Sequence, residues 1–124
     1  MSTTGTPSPA TGLSHERCTG HTLIAVRGEL DVATTPHLRE RLNAALVDAV
    51  PPVVIDLSGV TFCDASGLTL LVEARRRAHG AVVLAAPRPQ MAKLLRVTGL
   101  DRAFTVSPNV TAARLARPGA RPAA

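Results

Sequence analysis

Aromatic side chains are nearly absent from this 124-residue chain, which has no tryptophan, no tyrosine and only two phenylalanines. Its hydrophobic content of 45% is still enough for one packed core, which aliphatic side chains and alanine must build. The chain also lacks any apolar run near the roughly 20 residues that a membrane-spanning helix requires. Residues 1–12 are rich in Ser, Thr, Pro and Gly and contain no apolar segment of the secretory type. We therefore expect a cytoplasmic protein that does not bind a membrane.

Cysteines and catalytic motifs are equally scarce. The two cysteines, Cys18 and Cys63, form neither a C-x-x-C pair nor a zinc-binding pattern. We interpret Cys63 as a small apolar residue at the end of a strand, and we expect no disulfide in the cytoplasm. No phosphate-binding glycine loop, dinucleotide-binding motif, metal-ligand cluster or G-x-S-x-G elbow occurs. The chain therefore contains no self-contained active site, and we predict a binding protein without a cofactor rather than an enzyme.

Positive charge is in excess, because 14 lysines and arginines against 9 acidic residues give a net charge of +5. Lys93 is the only lysine, residues 75–77 are consecutive arginines, and further arginines lie near the C-terminus. Nucleic-acid binding is one interpretation of such a chain. However, no aromatic residues alternate with the arginines and no nucleic-acid-binding motif is present. We favour a solvated helix face and a basic tail, with no direct nucleic-acid partner.

Alternating strand and helix patterns predict an α/β fold. The patterns predict strands over residues 13–18, 21–27, 53–57, 81–85 and 103–106. They predict helices starting at Thr35-Pro36, running over 66–78, following Pro87 and Pro89, and capped by Ser107-Pro108. A strand, a helix and a strand over residues 53–85 form a β-α-β unit, whose two strands should be parallel. The expected architecture is a mixed, mostly parallel sheet of four or five strands with about four helices.

One domain is expected over residues 13–116. Residues 1–12 have the composition of a disordered tail, and R-P-G-A-R-P-A-A at residues 117–124 has that of a flexible one. Within the domain, residues 28–31 and the polar segment from Ser58 to Ala65 are predicted loops. The sequence shows no internal repeat and no linker that would divide the domain.

Ser66 draws attention because it lies where a predicted loop meets a predicted helix. The buried strand over residues 53–57 leads through a polar, glycine-containing loop to Ser66 in the first helical turn. The unpaired N–H groups and the positive dipole end of a helix start can hold a phosphate. An ordinary helix cap is the simpler interpretation of Ser66, and Asp64 can equally be a cap or a turn former. Spacing alone does not decide between these roles.

Two motifs occur in order along the chain. G-E-L-D at residues 28–31 follows one predicted strand, and V-V-I-D-L-S-G-V-T-F-C-D-A-S-G-L at residues 53–68 begins with another. They resemble the hallmarks of the STAS family, specifically of the bacterial anti-sigma factor antagonists, and the resemblance covers residues 13–116. It implies that Ser66, the serine before the glycine, is phosphorylated by an anti-sigma factor that is also a serine kinase. Ala65 stands where many members carry a second serine, which leaves Ser66 as the main acceptor.

The resemblance further implies a partner switch that regulates sigma-factor-dependent transcription, as in a stress response. The unphosphorylated protein would bind the anti-sigma factor and free the sigma factor, phosphorylation would end that binding, and a serine phosphatase would reset it. The expected contact residues are Glu29, Asp31, Thr34, Asp64, Ala65, Ser66, Gly67 and Leu68. Ser58 is the alternative phosphorylation site.

Two other interpretations compete with the switch. One is a STAS module that is never phosphorylated, such as the small subunit of a lipid-transport ABC complex, in which Ser66 is only a contact residue. The other is an enzyme, which would require turnover by the purified chain and which no residue pattern demands.

Overall fold

Five strands form one mixed sheet in the computed structural model of the chain, which describes residues 11–116. The strands are β1 (Gly12–Cys18), β2 (His21–Leu30), β3 (Val53–Cys63), β4 (Val82–Ala85) and β5 (Thr105–Ser107). They lie side by side in chain order, with β1 antiparallel to β2 and every other neighbouring pair parallel. The predicted mixed, mostly parallel sheet is confirmed, and so is the parallel pair in the β-α-β unit.

Five helices connect or follow these strands within the described residues. They are α1 (Thr35–Val47), α2 (Ala65–Arg77), α3 (Pro89–Val97), α4 (Leu100–Ala103) and α5 (Val110–Leu115). The sequence predicted four of them and missed α4, a single short turn of helix. Gly99 has a φ of 79°, so it ends α3 as predicted and lets the chain turn into α4. No helix among the described residues is long and apolar enough to cross a membrane.

Apolar side chains cover both faces of the sheet, in two cores of unequal size. On one face, Ile55 and Leu84 pack with apolar residues of α1, α2 and α3 in the larger core. On the other face, Val54 and Val83 pack against Ala113 of α5. Because successive side chains of a strand point to opposite faces, β3 and β4 need apolar residues at consecutive positions. This requirement explains their continuous apolar runs.

Strands β2 and β3 extend further than the sequence indicated. The polar segments 28–31 and 58–63, predicted as loops, continue the strands as far as Leu30 and Cys63. Two irregularities in the β2–β3 register each give β3 one residue more than β2 over the same stretch. Such bulges break the regular alternation of apolar and polar side chains, so the pattern no longer resembles a strand.

Two helix caps also differ from the sequence interpretation. Helix α1 begins at Thr35, which is buried, so Thr34 takes the cap position, and it makes no side-chain cap hydrogen bond. The side chain of Asn109 caps α5 by accepting a hydrogen bond from the Ala112 N–H at 2.8 Å. Ser107, predicted as part of that cap, is buried in β5. Thr, Ser and Asn are all good cap residues, so only the backbone path selects among neighbours.

The predicted tails fall mostly outside the described residues, which exclude 1–10 and 117–124. Gly12, which the composition assigned to the N-terminal tail, begins β1. The hydroxyl of Thr11 accepts a hydrogen bond from the Glu29 N–H at 3.0 Å and so ties the start of the domain to β2. The folded part of the chain therefore begins before residue 13.

Gly28 and Gly20 form a matched pair for separating backbone strain from crowding, because both have positive φ, +89° and +82°. A Cβ on Gly28 would lie 2.5 Å from the Thr11 Cα, whereas a Cβ on Gly20 would meet nothing within 4 Å. We expect Gly20→Ala to lower the free energy of unfolding by about 1–2 kcal/mol. We expect Gly28→Ala to lower it by about 1–3 kcal/mol more. Urea denaturation measures both losses, and equal losses would contradict the close approach of Thr11.

Candidate functional site

The carboxyl ends of β2 and β3 meet at one edge of the sheet, and a polar segment leaves from each. Leu30 pairs with Cys63 at the end of the parallel register, and the Asp64 N–H donates to the Leu30 carbonyl at 3.0 Å. The segment after β2 is the turn of residues 31–34, and the segment after β3 begins α2. The structure thus brings the two sequence motifs together.

Asp64 organises the first turn of α2 as its N-cap residue. Its Oδ1 accepts hydrogen bonds from the backbone N–H groups of Ser66 (2.8 Å) and Gly67 (3.4 Å) and from the Ser66 hydroxyl (2.5 Å). The two N–H groups have no partner within the helix, so the cap satisfies them. The Ser66 hydroxyl is the main cause that lowers the pKa of Asp64 below its ordinary 3.8, opposed by desolvation and helped by the backbone N–H groups. Asp64 is therefore a carboxylate at neutral pH.

Ser66 is the second residue of α2, and its side chain is partly exposed. Its hydroxyl donates its hydrogen to Asp64, which leaves the acceptor lone pairs of Oγ for other contacts. Ala65, the residue before it, is exposed and has no polar side-chain atom. Ser66 therefore carries the one hydroxyl group among the first four residues of α2.

Gly67 and Leu68, two of the expected contact residues, are buried in the first turn of α2. A Cβ on Gly67 would lie 2.6 Å from the Cys63 Sγ and 2.7 Å from the Leu30 Cβ. Glycine is required here because α2 packs closely on the ends of both strands. These two residues hold the first turn of α2 in place beneath Ser66.

The turn after β2 is closed by its own polar side chains. The Asp31 Oδ1 accepts hydrogen bonds from the N–H groups of Ala33 (2.9 Å) and Thr34 (3.0 Å). The Thr34 hydroxyl accepts from the Asp31 N–H at 3.0 Å and donates to the Glu29 carbonyl at 2.7 Å. Asp31 and Thr34 are thus partly used in shaping the turn. Glu29 is the last exposed residue of β2, so its side chain lies at the surface just before the turn.

Two exposed apolar side chains at this edge were not among the contact residues predicted from the sequence. Val32 in the turn is 74% exposed, and Phe62, which pairs with Glu29 across the two strands, is 49% exposed. The signal was present in the sequence, since each is an apolar residue inside a polar segment.

Ser58, the alternative acceptor, is exposed but lies within β3. Its N–H donates to the Asp56 Oδ1 at 2.9 Å, and its carbonyl accepts from the Arg88 Nε at 2.7 Å. The backbone of Ser58 is therefore held in the strand, without a helix terminus to stabilise a phosphate. The geometry favours Ser66 over Ser58.

Cys63 adds no reactive thiol to the site. Burial, with a smaller contribution from the Asp64 charge, raises the pKa of its thiol to about 11. The thiol is therefore protonated at neutral pH and acts as a space-filling group, as interpreted from the sequence. Within residues 11–116, no group of three or more His, Cys, Asp or Glu side chains could hold a metal ion.

Comparison with known sequences relates the chain to a family. A family model described as Mlab, STAS domain, matches residues 14–108. An anti-sigma-B factor antagonist from Listeria monocytogenes is 34% identical over 89 residues, which are 69% of this chain and 78% of that protein. An anti-sigma F factor antagonist from Lysinibacillus sphaericus is 30% identical over 82 residues, which are 63% of this chain and 70% of that protein.

Comparison with solved structures agrees with the sequence matches. The crystal structure of an anti-sigma factor antagonist from Mycobacterium paratuberculosis superimposes with a TM-score of 0.78 at 28% identity, covering 86% of this chain and 93% of that one. The phosphorylated form of the Bacillus cell fate determinant SpoIIAA gives a TM-score of 0.57 at 24% identity, covering 77% and 90%. At that identity the second likeness shows the fold alone.

Asp64→Ala and Asp64→Asn separate the cap of α2 from its charge. Alanine removes every hydrogen bond to Oδ1, whereas asparagine keeps an acceptor oxygen at a position it favours. We expect Asp64→Ala to lower the melting temperature more than Asp64→Asn does. Because folding lowers the pKa of Asp64, the stabilisation by its charge is complete above the unfolded-state pKa near 3.8. That stabilisation is lost as the pH falls through the folded-state pKa.

The measurement is the difference in melting temperature between the wild type and Asp64→Asn, followed from about pH 7 to about pH 3. The difference should shrink at the acid end, because Asp64 becomes protonated there. The other carboxylates titrate in both proteins, so their effects cancel in the difference. A difference that stays constant over this range would contradict the lowered pKa of Asp64.

Proposed function

This chain belongs to the STAS domain family, and we propose that it is an anti-sigma factor antagonist that is switched by phosphorylation of Ser66. Unphosphorylated, it binds an anti-sigma factor and so releases a sigma factor for transcription. Phosphorylation by that anti-sigma factor, acting as a serine kinase, ends the binding, and a serine phosphatase restores it. The observation that carries the proposal is the Ser66 hydroxyl, which lies partly exposed at the start of α2 beside the turn of residues 31–34.

The chemistry of the switch is phosphoryl transfer from ATP held by the partner. The Ser66 Oγ forms a bond to the γ-phosphorus, the bond from that phosphorus to the β-phosphate oxygen breaks, and ADP leaves. The hydroxyl also loses its proton. The ionised Asp64 carboxylate already accepts a hydrogen bond from that hydroxyl, so it is the nearest proton acceptor on this chain. In this chain, Asp64 therefore both positions Oγ and faces the proton that must leave.

The phosphate then changes the electrostatics of the helix start. It adds about −1.5 to −2 charges on the atom that had donated a hydrogen bond to Asp64. The N–H groups and dipole of α2 stabilise the new anion, while the Asp64 carboxylate repels it. The phosphate and the Asp64 carboxylate then compete for the N–H groups of Ser66 and Gly67, both of which lie in the first turn of α2.

Loss of binding follows from the same local change. An interface packed against Ser66 must desolvate the phosphate and accept its volume. Glu29 at the end of β2 and Asp31 in the neighbouring turn already carry carboxylates, so the contact surface becomes strongly acidic. A loss of about 2.7 kcal/mol in binding free energy lowers affinity roughly a hundredfold. The switch thus needs no rearrangement of the fold.

The second candidate function is the non-switching STAS module of a lipid-transport ABC complex. The same hydrogen bond from the Ser66 hydroxyl to Asp64 is compatible with it, because a hydroxyl so held can serve as a contact without modification. The two candidates differ in one respect that can be measured. Only the switch requires a covalent change at Ser66.

Phosphorylation of the purified protein tests the proposal directly. The chain is incubated with ATP and the candidate anti-sigma factor kinase from its own organism, and the modified residue is mapped by mass spectrometry. We expect one phosphate on Ser66, none on the Ser66→Ala variant, and wild-type behaviour of Ser58→Ala. Modification of Ser58 with Ser66 untouched would overturn the assignment.

Binding of Ser66 variants to the same kinase, measured without ATP, tests the electrostatic switch. We expect Ser66→Ala to bind as tightly as the wild type and Ser66→Asp to bind roughly a hundredfold more weakly. Ser14→Asp is the control, because Ser14 is exposed on the edge strand β1 and adds the same charge elsewhere. Equal affinities of Ser66→Asp and Ser14→Asp would show that charge at the helix start is not the switch.

A further inference from the structure

A groove runs between the end of β3 and the start of α3, beside the site but separate from it. It encloses about 220 Å³. Its apolar lining includes Val60, Met91 and Leu94, Phe62 forms part of its wall, and Arg88 lies at its polar rim. The proposed switch makes no use of this groove.

The size of the groove indicates what it can hold. Small-molecule sites usually enclose about 300–1,000 Å³, so this groove is too small for a cofactor or a typical ligand. It suits one large apolar side chain of another protein, which is how binding hot spots are built. Phe62 is 49% exposed and Met91 is 3% exposed, so an inserted side chain would cover an aromatic ring and reach a buried thioether. Met side chains adapt easily to such guests.

Arg88 gives the groove a charge preference. Its Nε donates to the Ser58 carbonyl at 2.7 Å, and this hydrogen bond holds the guanidinium at the groove lining. The one ion pair found among residues 11–116 joins Arg39 to Glu73, so Arg88 meets no carboxylate within that part of the chain. The outer nitrogens of a guanidinium form a planar fork that fits a carboxylate. The matching ligand is therefore an apolar side chain with an acidic residue next to it.

We propose that this groove anchors the same partner protein that binds at Ser66, by receiving a large apolar side chain next to an Asp or Glu. The inference rests on the proposed function and names a second contact of that partner. Continuity along the chain supports it, because Cys63 lines the groove and the next residue, Asp64, accepts the hydrogen bond from the Ser66 hydroxyl. A protein that covers Ser66 therefore borders the groove.

The two parts of the surface carry opposite charges. Glu29, Asp31 and Asp64 lie on the Ser66 side, whereas Arg88 lies on the groove side. Such an arrangement orients a partner whose own charges alternate in the opposite sense. Because no group of the groove is changed by phosphorylation, the groove contributes equally to binding of both forms. It sets the overall affinity, while Ser66 sets the difference between the forms.

Affinity measurements on groove variants test this inference. The variants are Arg88→Glu and Phe62→Ala. The controls are Arg96→Glu and Val97→Ala, both exposed at the far end of α3. Each is made with Ser66 intact and with Ser66→Asp, and binding to the phosphorylating kinase is measured without ATP. Circular dichroism and melting temperature confirm that each variant folds. If Arg88→Glu does not fold, Phe62→Ala alone tests the groove.

We expect each groove variant to weaken binding about tenfold or more, by the same factor in both Ser66 backgrounds, and the controls to change it by less than about twofold. Unchanged affinity in both groove variants would overturn the inference, and so would an equal loss in Arg96→Glu, which would indicate a general charge effect. If the groove variants bind the kinase more weakly while Ser66→Asp binds as tightly as the wild type, the switch is refuted and the groove contact is supported. A wild type that binds no anti-sigma factor would refute both.

Discussion

The parallel pairing of β2 with β3 is the constraint on which the site depends. It ends at Leu30 and Cys63, and one further hydrogen bond, from the Asp64 N–H to the Leu30 carbonyl, fixes where α2 starts. Gly67 then allows the helix to pack against both strand ends, at a distance that leaves no room for a Cβ atom. Ser66 lies beside the turn of residues 31–34 because the two strands end at the same level, so the geometry of the site is a property of the sheet.

Asp64 links this framework to the chemistry. One carboxylate oxygen caps α2 through two backbone N–H groups and holds the Ser66 hydroxyl. The same atom therefore has a structural role while Ser66 is free and a repulsive one if Ser66 carries a phosphate. A group that stabilises one state and opposes the other is suited to a switch, because a covalent change of one side chain alters several interactions at once.

Much of the fold was predictable from the sequence, and the errors have identifiable physical causes. The apolar runs of β3 and β4 predicted buried strands. The prediction is correct because α5 covers the second face of the sheet. The carboxyl-terminal parts of β2 and β3 were missed because bulges break the alternation that marks a strand. Ser66 was placed correctly at a helix start, but the burial of Gly67 and Leu68 depends on packing against another strand, which local spacing does not encode.

Under the proposed switch, a phosphate on Ser66 would change the binding surface without disturbing the fold. The framework beneath it is an apolar, closely packed core. The charged groups that respond, Glu29, Asp31 and Asp64, are all at the surface edge of the sheet. A modification there changes what a partner meets and leaves the core contacts intact. Under the proposed switch, each cycle of phosphorylation and dephosphorylation would therefore act on binding and leave the apolar core unchanged.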